Sequence, residues 1–480
     1  MTYIPHNNLD RGGIADSPFS GVPNSVARMV GIDIHTVSGI IQANQRMTKI
    51  SGDTITEKCM VGLAASNNIR YWFSNVSGKI WQEKDGAFDL VYTTTPSAGE
   101  DDCLGAIEHD GYIYWFTSHR VHRIPVANAD GASAWTANVQ PNFGNFLKGD
   151  YNFHPCRIVN LVLYIGDGNV VAQVDSGVFS DNALDIDAPH RVSALGKMGT
   201  DLLIGTYIAD NVAHANIYRW NTWGTSFSNH DMVYEPGIFA FLETDNYVQV
   251  CAGYAGNIYN YDGDKLSYFK TIPGNYSNTA GVKVNPYAIG MYRGMLPIFG
   301  VSQWGENAGD CGIWSLGRSS YNHGIVLNLE FPTSNVDSDE YPILTDLTIG
   351  AIVVAGNDIY ASWSYGGENG VDKLDYTQKI KRPFLETKVM KPDMSQLNSF
   401  KDFYAHYVEL PEDTNIIIKK KENHNPDGFG EPLETVNDSD RMFVNAPSES
   451  TETKVMQMRI ELETSDNKSP IIEDFGPDVS

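Results

Sequence analysis

Asp101 with Asp102, Asp262 with Asp264, and Asp337 with Asp339 are the residues of this 480-residue chain whose types and spacing come nearest to acid–base chemistry. Paired carboxyl groups cleave glycosidic bonds only when the fold holds a proton donor and a base or nucleophile at a set separation. Closeness in sequence does not supply that separation, and solvated loop acids are the competing reading. Asp262-Gly263-Asp264 also offers hard oxygen ligands, but a calcium loop needs six or more oxygens in register, so a surface turn is expected. His109, His119, His122 and His154 lack the H-E-x-x-H or H-x-H spacing of a zinc site. His119 and His122 lie on or beside one hairpin, where a hydrogen-bonded structural pair is the simpler expectation. No nucleophile elbow, P-loop or Rossmann glycine pattern is present. The chain is therefore expected to carry no catalytic, cofactor-binding or metal-binding residues.

The elements that would position such groups recur. An apolar strand, a turn rich in Gly, Asn, Asp or Ser, and a second strand opening on a β-branched residue occur seven times. The second strands begin at Ile80, Val121, Val170, Ile217, Ile258, Ile313 and Val371, at separations from 41 to 58 residues. The first strands cover residues 69–73, 112–116, 161–165, 202–207, 247–251, 295–301 and 359–363, all aromatic or β-branched in character. A repeat of about 40 to 50 residues built from short strands, without helical periodicity, is the pattern of a propeller blade. Seven repeats predict an all-β fold whose main part is a seven-bladed β-propeller over residues 29–389.

One repeat invites a functional comparison. Ser74-Asn75-Val76-Ser77-Gly78-Lys79-Ile80-Trp81 resembles the Asp-box of sialidase-like propellers, a Ser, Asp, Gly and Trp pattern at this spacing. Val76 stands where the box has the Asp that ties its turn, and no other blade repeats the pattern. A sialidase would also need an arginine cluster for its substrate carboxylate, so the resemblance gives a glycosidase little support.

Residues 1–28, polar and rich in Gly, Pro and Asn, predict an extended arm, either disordered or clasping a neighbour. The run from Met29 through Ile41 suits a strand pair that helps close the ring. After Lys391-Pro392-Asp393 the pattern changes to longer alternating strands at 403–410, 415–420, 442–444 and 454–463. In the last, Met456, Met458, Ile460 and Leu462 share one face, and Gln457, Arg459, Glu461 and Glu463 the other. A small antiparallel β-sandwich over residues 390–480 is expected, with residues 423–440 as an exposed loop.

Charge limits the partners. Thirty-four basic residues against fifty-nine acidic give a net charge of -25, which repels a phosphate backbone; DNA would pass such a surface without being held, and solubility is the plainer reason for the charge. The one concentration of positive charge is Lys419-Lys420-Lys421, with Lys379, Lys381 and Arg382 upstream; a contact with an acidic neighbouring subunit competes with a solvated strand end. Cys59, Cys103, Cys156, Cys251 and Cys311 form no C-x-x-C pair and are expected to be free and buried. The first three open similar apolar runs, as small hydrophobes on equivalent strands would. The first residues lack a basic, then apolar, secretory leader, and no stretch approaches eighteen apolar residues; a soluble protein made in a reducing cytoplasm is expected.

The layout of irregular blades followed by a sandwich resembles virion structural proteins of tailed bacteriophages, of the propeller-bearing tail nozzle or hub type. Lys454-Val455-Met456-Gln457-Met458-Arg459-Ile460-Glu461-Leu462, followed by Ser469-Pro470-Ile471-Ile472, and the run Phe403 to Pro411 carry the resemblance at the C-terminal end. Val30-Gly31-Ile32-Asp33-Ile34-His35 and Gly39-Ile40-Ile41 carry it at the N-terminal end. The resemblance implies a tail or portal-proximal virion component, assembled in the host cytoplasm, forming a homo-oligomeric ring with other tail or portal proteins around the DNA channel. It implies no catalytic residues. A glycan-binding propeller for host attachment is the alternative, with Trp223 and Trp304 as its loop-placed aromatics; a glycoside hydrolase on the same scaffold is the third reading.

Overall fold

A computed structural model describes residues 2–3, 14–15, 25–37, 39–50, 55–93, 102–145, 153–209, 214–244, 247–274, 281–305, 310–318, 324–335, 347–390, 398–422, 428–437, 443–447, 452–453 and 455–479. The chain forms two compact units. One comprises Lys49–Cys311 and Leu344–Lys373, the other Met1–Thr48, Gly312–Ile343 and Leu374–Ser480.

The first unit is a β-propeller. Its first sheet runs Cys59–Ala64, Arg70–Ser74, Lys79–Lys84, Ala87–Thr93, each strand antiparallel to the one before. Four more four-stranded sheets follow in chain order, with innermost strands Gly105–His109, Cys156–Val159, His190–Met198 and Ile238–Glu243. A further four-stranded sheet begins at Thr348–Ala355 and takes Gln45–Lys49 as its outermost strand. Each innermost strand packs on the next, and Thr348–Ala355 packs back on Cys59–Ala64, which closes the circle. Closure is tight. A Cβ at Gly350 would collide with the Cys59 carbonyl oxygen, and that oxygen instead accepts the Ser362 hydroxyl at 2.7 Å.

Among the described residues, four-stranded blades number six, not the seven expected. The repeat with second strand at Ile313 makes the difference. Its inner hairpin, Gly281–Tyr292 with Leu296–Trp304, sits in the circle between the fifth and sixth four-stranded sheets. Its continuation, Gly312–Gly317 with Val326–Phe331, belongs to the other unit. The local hairpin pattern is the same, but the strands divide according to distant partners. Apolar faces between blades are filled by aromatic side chains, with Tyr71, Trp115 and Trp135 fully buried together. Trp135 comes from a helix, Ala132–Asn138, in a region where no helix was expected.

The second unit draws its sheets from three parts of the chain. Arg28–Val30 lies between Val326–Phe331, to which it is parallel, and Phe384–Glu386. Phe384–Glu386 pairs with Met456–Glu463, then Asn415–Glu422 and Glu434–Val436 follow. Asn398–Glu409 pairs with Ile471–Val479 and with Phe443–Pro447. Met456, Met458, Ile460 and Leu462 are buried as their alternation predicts. Glu461, placed on the polar face by the same alternation, is buried too, because Lys419 at 3.0 Å and Arg459 at 3.4 Å neutralise it. The described residues of the N-terminal arm bond within their own chain: Thr2–Tyr3 pairs with Asp478 and Val479, and the Ile14 amide donates to the Leu327 carbonyl at 3.0 Å.

Candidate functional site

Propellers concentrate function on the axis, where one strand of every blade presents side chains to the same point. Here the axis is filled. Tyr287, on Gly281–Tyr292, reaches across the ring to Cys156–Val159, three places away, where its hydroxyl donates to the His154 carbonyl at 2.6 Å and lies 3.2 Å from Cys156 Sγ. Gly105 makes room for this, since a Cβ there would collide with both the Tyr287 hydroxyl and the His154 carbonyl oxygen. Space around the bolt amounts to about 190 Å³, lined by Gly62, Ala106, Cys156, Ala194, Ala240 and Tyr287 among others.

The inner strands carry charge as well. At the end of Ile238–Glu243, Glu243 pairs with Arg157, the second residue of Cys156–Val159, and its second oxygen accepts the Lys197 amide at 2.7 Å. Where the inner strands begin, the Lys283 ammonium lies over the rings of Phe153 at 5.5 Å and Phe239 at 5.1 Å. Burial and the nearby Lys58 push Lys283 down to about 8. Lys58 is also lowered by burial and, among the described residues, donates to the Thr348 hydroxyl at 3.4 Å.

Cys156 is half-buried and its thiol is pushed up to about 12, burial outweighing the hydrogen bond with Tyr287 and the charge of Arg157. Such a thiol is not a nucleophile at neutral pH. Tyr287→Phe is expected to keep the packing and remove the two polar contacts, costing about 1 kcal/mol. Urea unfolding followed by tryptophan fluorescence measures the loss, and maleimide labelling of Cys156 is expected to quicken as the bolt loosens.

The second unit holds a constellation that looks catalytic by composition. His35 Nε2 lies 3.1 Å from Ser315 Oγ and 3.1 Å from Glu330 Oε1. The wiring differs from a hydrolytic triad, in which histidine stands between serine and carboxylate and uses one nitrogen for each. Here the Ser315 hydroxyl donates directly to Glu330 at 2.7 Å, and Asn328 and Asn44 donate to the same carboxylate. Ser315 is fully buried. Burial would raise the Glu330 carboxyl, but the His35 ring and the bonds from His35, Ser315 and Asn328 hold it below the usual carboxylate range. The group is a buried structural knot, and sequence reading missed it because its members lie far apart in the chain.

The residues singled out from sequence fall elsewhere. The Ser74 turn is tied without the box aspartate. Ser74 Oγ accepts the Val76 and Ser77 amides at 3.0 and 3.3 Å and donates to Glu57 at 2.7 Å, while Ser77 and Lys79 also bond Glu57. Val76 is 59% exposed. A glutamate from the preceding segment thus supplies the carboxylate that the box lacks. Asp262 accepts the Asp264 and Lys265 amides at 3.0 and 2.8 Å, the surface turn expected. Asp102 accepts the Ser118 amide and hydroxyl, whereas Asp101, Asp337 and Asp339 lie outside the described residues. His119 is exposed and His122 is buried flat against Trp115, 5.2 Å between rings, so they do not form the expected pair. His109 lies by Asp110 at 3.5 Å, and His154 bonds the Gly166 carbonyl at 2.9 Å. Among the described residues, no three His, Cys, Asp or Glu side chains converge to hold a metal.

Lys379, Lys381 and Arg382 meet Arg46 around a cleft of about 250 Å³ that also contains Glu463 and Asp466. Arg382 pairs with Glu463 at 2.9 Å, and Lys379 donates to the Ala43 carbonyl at 2.9 Å. Lys419 and Lys420 instead pair with Glu461 and Glu422. The five cysteines are unbridged. Trp223 is 88% exposed, and Trp304 is half-buried edge-on to Tyr254 at 5.6 Å. No helix of the described residues is long and apolar enough to cross a membrane.

No protein-family model and no curated protein matches the chain. Several solved structures are similar to it at low identity. The extracellular domain of a putative one-component system from B. thetaiotaomicron is 12% identical with a TM-score of 0.46; the match covers 77% of this chain and 44% of that one. A catalytically inactive virginiamycin B lyase from Staphylococcus aureus with quinupristin is 13% identical, TM-score 0.45, covering 70% and 98%. The WD40 β-propeller domain of Doa1 is 12% identical, TM-score 0.43, covering 70% and 97%. The chain spans less than half the length of the first of these.

Proposed function

We propose that this chain is a structural protein of a tailed-phage virion, a tail nozzle, hub or portal-proximal component that assembles into a homo-oligomeric ring and has no enzymatic activity. The observation that carries the reading is the closed propeller axis. Tyr287 spans the bore, and the space beside it is two adjoining recesses of about 190 Å³ and about 210 Å³, the second lined by Arg157 and Glu243, each below the usual 300 to 1,000 Å³ of a substrate pocket. A filled propeller is a rigid block. In such a ring, DNA passes between copies and never through a propeller, and a surface of net charge -25 lets it slide without adhering. The paired C-terminal strands of residues 390–480, read from sequence as a sandwich, serve as the second part of the building block. Closed cyclic symmetry is the usual way identical blocks bury a self-complementary or head-to-tail surface.

Sedimentation velocity of the purified chain, with negative-stain micrographs of the same sample, tests this. Rings of one defined copy number are expected. Monomers at every concentration, with the protein absent from purified virions, would overturn the proposal.

A further inference from the structure

The mouth of the axis where the inner strands begin has features that a building block does not require. Lys58 precedes the first inner strand, Thr348 opens the last, and Lys283 lies near the start of Gly281–Tyr292, which packs on it. Neither amine has a carboxylate partner among the described residues, in a chain where acids outnumber bases fifty-nine to thirty-four. Two half-buried ammonium groups held near one another repel and lose hydration, and burial with mutual repulsion sets Lys283 down to about 8. An anion lying between them would relieve both costs.

Aromatic surface adjoins the pair. The Phe239 ring that faces the Lys283 ammonium stacks on Tyr254, 5.1 Å between centroids, and Tyr254 in turn meets Trp304. Tyr254 is 43% exposed, and its carbonyl accepts the Val282 amide at 3.0 Å, which fixes it beside Lys283. The recess next to Lys283 holds only about 10 Å³, so a ligand lies on this mouth and does not enter it. Lysines are single-point donors, and two of them suit the two oxygens of one carboxylate. An exposed aromatic face beside them suits the C–H face of a sugar ring, since such rings present an apolar body with a polar tip.

We propose that Lys58, Lys283 and the exposed face of Tyr254 bind the carboxylate-bearing end of an acidic saccharide at the strand-entry mouth of the propeller. The site is independent of the assembly role, and a virion-mounted propeller carrying it would contact acidic surface glycans.

Calorimetric titration of the full chain with oligosaccharides ending in glucuronic acid or N-acetylneuraminic acid, against the glucose-ended equivalent, tests the site. Acidic ends are expected to bind at least tenfold more tightly than the neutral one. Lys283→Met and Lys58→Met should each weaken that binding tenfold or more, and Tyr254→Ala should weaken it as well. Should Lys283→Met fail to fold, acetylation of the unmodified protein gives the same answer: the acidic saccharide should slow labelling of Lys283 and Lys58 and leave Lys84 unchanged. Absence of binding, equal binding of the neutral saccharide, or binding untouched by Lys58→Met with no protection of Lys283 would each overturn the proposal. So would protection by glutarate as strong as by the acidic saccharides, because the sugar would then contribute nothing.

Discussion

Replacing Glu330 by alanine is expected to destabilise its unit by about 3 to 5 kcal/mol, the usual cost of removing one partner from a buried charged cluster. Glu330 is 2% exposed. Its carboxylate is the common acceptor for His35, Ser315, Asn328 and Asn44, and alanine leaves those donors facing a void from which water is excluded. Asn328 also donates to the Ile32 carbonyl at 2.8 Å, so its second bond would hold part of the geometry. Glu330→Gln keeps the shape but turns an amide N–H₂ toward donors, and should cost less than alanine. The acid limb separates charge from shape. A carboxyl held below its ordinary value contributes stability that is present above the unfolded pKa, about 4.5 here, and is lost as pH falls through the folded value. Urea titrations at successive pH values should therefore show Glu330→Gln with a flatter acid limb than the unmodified chain. Equal limbs would mean that the carboxylate is not held down by its neighbours.

What sequence made legible was local. The strand Tyr112–Phe116 coincides with residues 112–116 as read from aromatic and β-branched composition, and Met456–Glu463 follows its period-two alternation. Hairpins of this kind are decided by their own residues and turns. The blade count depended on more than local pattern, because Gly312–Gly317 looks like any other second strand until its partner Val326–Phe331 is placed outside the propeller unit. The helix Ala132–Asn138 escaped because seven residues span two turns, too few for a 3.6-residue period to stand out.

Side-chain constellations were hidden for a related reason. Lys283 feels the charge of Lys58 because a ring brings its first and later blades together, and Glu57 replaces the missing box aspartate from a position no turn motif inspects. Tyr287 and Gly105 form a complementary pair, one residue filling the axis and the other yielding to it. Either residue alone reads as ordinary strand composition. The upstream basic residues noted in sequence acquired a fourth member, Arg46, only through strand pairing.

Acid should weaken the propeller well before its carboxylates titrate, through His122. The ring is 3% exposed, lies flat on Trp115 with 12° between planes, and neither nitrogen has a hydrogen-bond partner among the described residues. Burial, with a contribution from Arg120, pushes it down to about 4. A base whose folded pKa lies below its unfolded value takes up its proton more readily when unfolded. Stability is therefore complete above an unfolded pKa of about 6.5 and falls as pH drops toward 4, by about 3 kcal/mol in all at 1.36 kcal/mol per pKa unit. His190, also lowered by burial and by His214, slopes the same way. His122→Phe keeps an aromatic ring against Trp115 and carries no proton. Its unfolding free energy, followed by tryptophan fluorescence in urea between pH 7.5 and 4.5, should lose most of that slope and leave the smaller His190 component. A variant as acid-sensitive as the unmodified chain would show that His122 is already solvated or already charged in the folded propeller.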